Sequence, residues 1–414
     1  MKRHFIFLFL YLTGCGTIPK PHHPKVPDKA SQVEIGLDVL LDEKLELING
    51  KSIGLVTNHT GIDGNGTPNY ERFMALNDVD LKIIFSPEHG LFGEAAAGEK
   101  VKYNGQLKSL PKVVSLYGKN RKPTKEQLKD LNIIIYDIQD IGARFYTYIS
   151  TLGLVMEAAA DAGVHVIVLD RPNPITGRHV EGPDLDLKHQ SFVGYYPIPI
   201  RYGLTVGELA KMIAGEKWIK SIPELTIVPI KNWNRTQWLD ETKVAWVKPS
   251  PNIPDLETAI IYPGICLLEA TNVNEGRGTK KPFKQFGAPW IDGNELSKAL
   301  NNLNLSGVTF IPTSYIPIDI PGMAINPKHK DLVCNGIQIL LTNRDQLNSI
   351  EMGIQIIDTI AKLYPDHFEI KESGMERLWG QSGLSTQIKS GMNMNLITQL
   401  SDFIQSSSQY HLYE

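Results

Sequence analysis

Leu81 to Gly90 reads L-K-I-I-F-S-P-E-H-G. A short, nearly continuous apolar run ends at Ser86, and a proline, a carboxylate, an imidazole and a glycine follow at once. Such a run, rich in β-branched residues, suits a strand covered on both faces. Three more segments share the pattern: S-I-G-L-V-T from Ser52, N-I-I-I-Y from Asn132 and H-V-I-V-L from His165. Helical stretches lie between and after them, at T-K-E-Q-L-K-D from Thr124, T-L-G-L-V-M-E-A-A-A-D-A-G from Thr151 and T-V-G-E-L-A-K-M-I-A-G from Thr205. Thr124 with Gln127, and Thr205 with Glu208, have the spacing of a capping box, and Gly163 stands where a C-cap glycine belongs. Strand, helix and strand in alternation predict an α/β protein built on a parallel sheet.

After about Trp233 the texture changes. Prolines and asparagine crowd K-P-S-P-N-I-P-D, and the alternation weakens. Helices are expected at G-N-E-L-S-K-A-L-N-N-L and S-I-E-M-G-I-Q-I-I-D-T-I-A-K-L-Y, strands at V-T-F-I-P-T and G-I-Q-I-L-L-T. The chain therefore divides into a larger α/β domain over residues 33–235 and a smaller α+β domain over 236–414. A length of 414 residues fits two domains.

The first residues are of another kind. M-K-R-H is basic, F-I-F-L-F-L-Y-L is apolar but too short to span a bilayer, and L-T-G-C closes the segment at Cys15. Residues 1–15 read as a bacterial lipoprotein signal whose Cys15 thiol takes the lipid, which anchors the protein to a membrane of the cell envelope without spanning it. Residues 16–32 are proline-rich and read as a tether; His22 and His23 within it read as solvated. Cys266 and Cys334 remain after processing. Two cysteines can pair in an exported protein, although Cys266 sits in an apolar run that suits burial. A formal net charge of -3 and the lack of a long basic stripe exclude nucleic acid as the expected partner.

Ligands of open parallel sheets bind beyond the carboxyl ends of the strands. Here those ends carry Asn58 and His59; Glu88 and His89; Asp137, Asp140 and Arg144; and Asp170 and Arg171. Acid, imidazole, amide and guanidinium groups at one rim make a site-like set. T-G-I-D-G-N-G lacks the glycine spacing of a dinucleotide loop, and no phosphate-loop lysine follows, so no nucleotide cofactor is expected. Neither G-x-S-x-G nor H-E-x-x-H occurs. His59, His89 and Asp137 could ligate a metal from three strand ends; hydrogen bonds from each imidazole to a neighbouring loop are the preferred alternative. Glu88, beside a proline on a covered rim, suits a general acid, because desolvation keeps a proton available for a leaving oxygen. An ion pair or a helix cap is the competing role.

S-P-E-H-G-L-F-G, Y-D-I-Q-D-I-G-A-R-F-Y-T-Y, L-D-R-P-N-P-I-T-G with E-G-P, P-S-P-N-I-P and Y-P-G-I-C-L-L-E-A-T-N-V-N-E-G-R-G-T occur in this order. Together they resemble the bacterial exo-β-N-acetylmuramidases, the NamZ-like family, and the resemblance runs from about Val33 to the end. It implies a Rossmann-like N-terminal domain, an auxiliary C-terminal domain and an active site in the cleft between them. It implies release of N-acetylmuramic acid from non-reducing ends of peptidoglycan fragments, without a cofactor or a metal, and it places the catalytic glutamate at Glu88, with His89 beside it. Tyr202-Gly203 departs from the His-Gly usual in the family.

Glycoside hydrolysis ordinarily takes two carboxyls, and Asp137, Asp140, Glu269 and Glu275 are the candidates for the second; a 2-acetamido group can instead attack the anomeric carbon itself. The lactyl carboxylate of muramic acid calls for an arginine fork, from Arg144, Arg171 or Arg277. The loop Asn272 to Thr279 is expected to face the cleft and to offer Asn272, Glu275 and Arg277 to the sugar. Two rivals stand beside this: a metal-dependent hydrolase on the strand-end histidines, and a wall-binding lipoprotein without catalysis.

Overall fold

β1 (Lys51–Thr57), β2 (Val79–Ser86), β3 (Lys112–Ser115), β4 (Ile133–Asp137), β5 (His165–Leu169) and β6 (Leu225–Val228) form one sheet in the order β3-β2-β1-β4-β5-β6, parallel throughout. They belong to a computed structural model that describes residues 32–95, 98–99, 109–390 and 400–414. The order is that of a doubly wound Rossmann sheet, with its switch point between β1 and β4. Each central strand is apolar on both faces for a visible reason. Ile53, Leu55, Ile133, Ile135, Ile167 and Leu169 pack to one side, and Val56, Ile134, Tyr136, Val166 and Val168 to the other.

On the first side lie α1 (Gly36–Glu43) and α2 (Asn69–Met74). On the second lie α4 (Tyr148–Ala162) and α5 (Val206–Gly215), with the one-turn α3 (Lys125–Leu128) between β3 and β4. Thr124 and Thr205 make their capping boxes, and Gly163 ends α4 in the left-handed conformation, as the sequence indicates. The strands β3 and β6, only four residues each and half-exposed, lack the apolar runs that mark the other four.

The C-terminal part carries a second, antiparallel sheet in the order β7-β9-β8, from β7 (Gln285–Ala288), β8 (Val308–Tyr315) and β9 (Cys334–Leu341). Around it stand α6 (Leu256–Ile265), α7 (Gly293–Asn301), α8 (Ser349–Leu363), α9 (Glu372–Trp379), α10 (Leu384–Ser390) and α11 (Ser401–Ser408). The helices α6 and α8 meet at Gly264 and Gly353, where a Cβ on Gly264 would lie 1.8 Å from the carbonyl oxygen of Ser349. Only glycine permits that approach. One continuous apolar core runs from Val56 under the parallel sheet to Phe403 in α11, and residues Val33–Glu414 form a single compact unit. The remaining unit, Met1–Gln32, covers the stretches expected from the sequence to be a signal and a tether, with Cys15 between them; apart from Gln32 these lie outside the described residues. Cys266 and Cys334 are both buried and unpaired.

Candidate active site

The end of β2 delivers Glu88 into a turn. His89 and Gly90 both take positive φ, 69° and 77°, a conformation that a histidine adopts only when its surroundings hold it there. What holds it is Nδ1, 2.7 Å from the carbonyl oxygen of Ala95. Because a carbonyl only accepts, Nδ1 carries the proton. Burial pushes the His89 pKa below its ordinary value, so the ring is neutral at pH 7.

Among the described residues the Glu88 carboxylate has two hydrogen-bond partners: Oε1 accepts from the backbone N–H of Gly98 over 3.0 Å and Oε2 from the Thr147 hydroxyl over 2.8 Å, with the Tyr117 phenol close beside them. Burial, followed by the Glu88 charge, drives the Tyr117 pKa upward and keeps the phenol protonated.

Glu88 and His89 open onto a cavity of about 130 Å³ whose other walls come from both parts of the chain. Phe145, Tyr146 and Thr147 lead into α4. Ser250 and Asn252 belong to the connection before α6. Tyr262, Cys266, Glu269, Arg277 and Phe283 come from the C-terminal part. Arg277 reaches Oε1 of Glu269 from Nη2 at 2.8 Å and from Nε at 3.3 Å, and its Nε is 3.4 Å from Glu275. Lys328 closes the group, 3.0 Å from the other oxygen of Glu275. Two cations and two anions balance, and the two carboxylates drive the Arg277 pKa upward against the effect of burial. The cavity thus holds two carboxyls, Glu88 and Glu269.

Several strand-end residues have other duties. Asp137 does not line the cavity. It pairs with Arg171, Nε to Oδ1 at 2.6 Å and Nη2 to Oδ2 at 3.0 Å, and accepts from Asn69 at 2.8 Å. Both members of the pair are at most 2% exposed. With Thr57, which donates to the Asp137 carbonyl, they plug the switch point that open sheets of this order use for ligands. A buried charge must be paired, and this pairing consumes both groups. Arg144 is likewise enclosed, donating to the carbonyl oxygens of Pro183, Ile198, Leu378 and Trp379; without a carboxylate in contact, burial lowers its pKa to about 9.

Asp140 accepts from Gly142 N–H and from the Tyr202 phenol, and burial pushes its pKa to about 6. Tyr202, the departure from the family pattern, is therefore spent on Asp140. Asp170 receives Thr205, Gly207 and Tyr413, fastening the start of α5 and the C-terminal tail to the end of β5. Asn58 turns its Oδ1 onto Thr60. His59 bonds through Nε2 to the Lys248 carbonyl at 2.8 Å. Asn272 bridges to His367 and Glu369 and leaves the cleft to Arg277. Among the described residues no group of three or more His, Cys, Asp or Glu side chains is arranged to hold a metal, so His59, His89 and Asp137 are not a ligand set.

The residues that sequence reasoning passed over are Tyr117, Tyr146, Thr147 and Asn252. Tyr146 and Thr147 lie in F-Y-T-Y and Asn252 in P-S-P-N-I-P, motifs that carried a signal without a role. Tyr117 follows the unrecognised β3 and has no such signal.

A Rossmann-like sheet whose second strand brings one carboxyl to a cavity that a second carboxyl, from an appended α+β part, also lines has the composition that glycoside hydrolysis ordinarily takes. Residues 53–257 match the family model "Exo-beta-N-acetylmuramidase NamZ, N-terminal" and residues 260–413 match "Exo-beta-N-acetylmuramidase NamZ, C-terminal". The chain belongs to the NamZ exo-β-N-acetylmuramidase family and is a glycoside hydrolase. The peptidoglycan beta-N-acetylmuramidase NamZ of Bacillus subtilis (strain 168) is 40% identical over 420 residues, covering 98% of this chain and 99% of the relative. Two crystal structures of DUF1343 family proteins from Bacteroides fragilis NCTC 9343 share the fold. One has a TM-score of 0.84 and 33% identity, the other 0.72 and 31%; each covers 93% of this chain, and 100% and 99% of their own.

Proposed function

We propose that this protein removes N-acetylmuramic acid from the non-reducing ends of peptidoglycan fragments such as muropeptides, with Glu88 as general acid. The observation that carries the assignment is the set of partners around Glu88 at the cavity wall. Thr147 and Tyr117 are hydroxyls, able to donate to a carboxylate or to accept from a carboxylic acid. The site therefore supports both protonation states that an acid must pass through. Glu269, which shares the cavity, is the second carboxyl of the reaction. Arg277 is the only one of the three candidate arginines that reaches the cavity, and it meets the lactyl carboxylate. A small cavity that admits one terminal unit suits exo action better than cutting within a strand.

Two further parts of the reading concern the ends and divisions of the chain. Residues 1–15 act as a lipoprotein signal, and lipid on Cys15 holds the enzyme at an extracytoplasmic membrane face through the tether. The basic start, the short apolar run and the L-T-G-C ending support this. Residues 33–235 act as the catalytic domain and 236–414 as the auxiliary one, which supplies Glu269 and Arg277. Replacing Cys15 by serine is expected to move the protein from the membrane to the soluble fraction; retention at the membrane contradicts the anchor.

Hydrolysis of a chromogenic β-N-acetylmuraminide, with the N-acetylglucosaminide as control, tests the activity. Selective turnover of the muraminide that collapses in Glu88→Gln is expected. No turnover of either sugar by folded wild type overturns the assignment and points to a wall-binding module.

A further inference from the structure

Two side chains lining the catalytic cavity carry a polar atom without a partner among the described residues. Asn252 and Tyr146 both line the cavity and are only 2% and 7% exposed. Among the described residues Oδ1 of Asn252 has no hydrogen-bond partner, and the Tyr146 hydroxyl has none of ordinary length and angle. The hydroxyl lies near Ser250 and Tyr148, yet Tyr148 gives its own proton to the Pro249 carbonyl over 2.7 Å. A buried polar atom left unmet costs roughly 1–3 kcal/mol, so two at one small cavity call for an explanation.

Their chemistry is complementary to one group. Nδ2 of Asn252 donates to the Met323 carbonyl over 2.8 Å. A carbonyl cannot donate, so the NH₂ end of the amide must face Met323 and the oxygen is the unmet end. The cavity therefore presents one pure acceptor and one hydroxyl donor. Around them stand the rings of Phe145, Tyr262 and Phe283, with Tyr262 edge-on to the other two at 5.5 and 4.8 Å. A secondary amide with a methyl group has one N–H, one carbonyl and one small apolar end.

We propose that Asn252 and Tyr146 form the subsite for the 2-acetamido group of the substrate. Asn252 Oδ1 accepts from the amide N–H, the Tyr146 hydroxyl donates to the amide carbonyl, and the aromatic wall takes the methyl. This rests on the muramidase reading and adds to it the residues that check the acylation of C2. An ammonium at C2 cannot accept from Tyr146, and it has no methyl group for the aromatic wall.

The test is calorimetric titration of the full chain with N-acetylmuramic acid and with muramic acid, for wild type, Tyr146→Phe and Asn252→Leu. Turnover of the N-acetylmuraminide is measured alongside. Wild type is expected to favour the acetylated sugar at least tenfold, from about 1 kcal/mol for each of two hydrogen bonds. Tyr146→Phe keeps the ring and removes a hydroxyl without a hydrogen-bond partner of ordinary geometry among the described residues, so its melting temperature stays nearly unchanged while the preference falls about fivefold. Asn252→Leu also lowers the preference, and its loss of the Met323 bond is read separately by melting. A preference unchanged in both variants, or affinity lost equally for both sugars, overturns the subsite. So does a wild type that binds neither sugar or does not distinguish them. A wild type that shows the preference, loses it in a variant and still turns over no muraminide upholds the subsite and overturns the muramidase reading instead.

Discussion

The Thr147 hydroxyl donates to Oε2 of Glu88 over 2.8 Å instead of capping the helix that it begins. A threonine at an N-cap ordinarily satisfies an amide of the first turn. Here that duty is given up, and the positive end of the fifteen-residue α4 stands beside the proposed acid. Thr147→Val is therefore expected to leave the melting temperature nearly unchanged, because no cap is lost, while kcat falls about tenfold, the value of one hydrogen bond to a charged group. Thr147→Ser should recover most of the rate. Melting curves and kcat for the two variants decide it; a large stability loss with kcat intact contradicts the role.

Asp137 and Arg171 give the opposite expectation. Their bidentate pair is sealed from solvent at the switch point. Removing one partner leaves an uncompensated buried charge, so Arg171→Met should cost roughly 3–5 kcal/mol of stability. The molecules that fold should keep kcat within about threefold, since a rate change of that size corresponds to less than 1 kcal/mol. Chelator treatment should likewise leave the rate unchanged, because Asp137 has no oxygen to spare for a metal. Urea unfolding and kcat on Arg171→Met, with EDTA-treated wild type beside it, check this.

The sheet was legible because its four inner strands are buried on both faces, and such burial writes continuous apolar runs into the sequence. Lys112–Ser115 and Leu225–Val228 escaped notice because short, half-covered edges write no such run. The site was only half legible. Glu88 and Arg277 stand in loops whose composition signals a ligand. Asp137 and Arg171 carry the same signal for a different reason: polar groups at strand ends also plug a sheet, and only their mutual distance distinguishes plug from site. Asn252 and Tyr146 become visible only when the polar atoms that nothing satisfies are identified, and that depends on tertiary contacts.

His59 and His89 make stability depend on pH. Burial lowers both pKa values below the ordinary 6.5 of the unfolded chain. Below pH 6.5 the unfolded state then binds more protons than the native one, so acidification favours unfolding. The stability these neutral rings preserve is complete above 6.5 and is lost as pH falls toward their folded values. Asp140 and Asp170, whose pKa values burial raises to about 6 and about 7, act in the opposite sense, so the readout is the difference between proteins: from pH 7 to pH 5 the melting temperature of His59→Gln, whose amide can still donate to the Lys248 carbonyl, should fall less or rise more than that of wild type. Calorimetric melting across that range is the check; an equal change in the variant removes His59 from the account.

Arg277 is the residue on which selection of muramic acid over glucosamine turns. Its Nε and Nη2 are held by Glu269 and Glu275, and its side chain lies 5.0 Å above the Phe283 ring, so the planar fork is fixed in one orientation. Glu269, one-third exposed, is the partner with room to move aside for an incoming lactyl carboxylate. Lysine keeps the charge and thus the balance with Glu275 and Lys328, but it cannot present two parallel N–H groups. Arg277→Lys should fold, and should lose roughly 10- to 100-fold in kcat/KM on the muraminide, the worth of one or two charge-assisted hydrogen bonds. Any residual activity on the glucosaminide, which has no lactyl group, should change little. The ratio of the two kcat/KM values is the measurement. A parallel fall on both sugars makes Arg277 a support for Glu269 rather than a reader of the substrate.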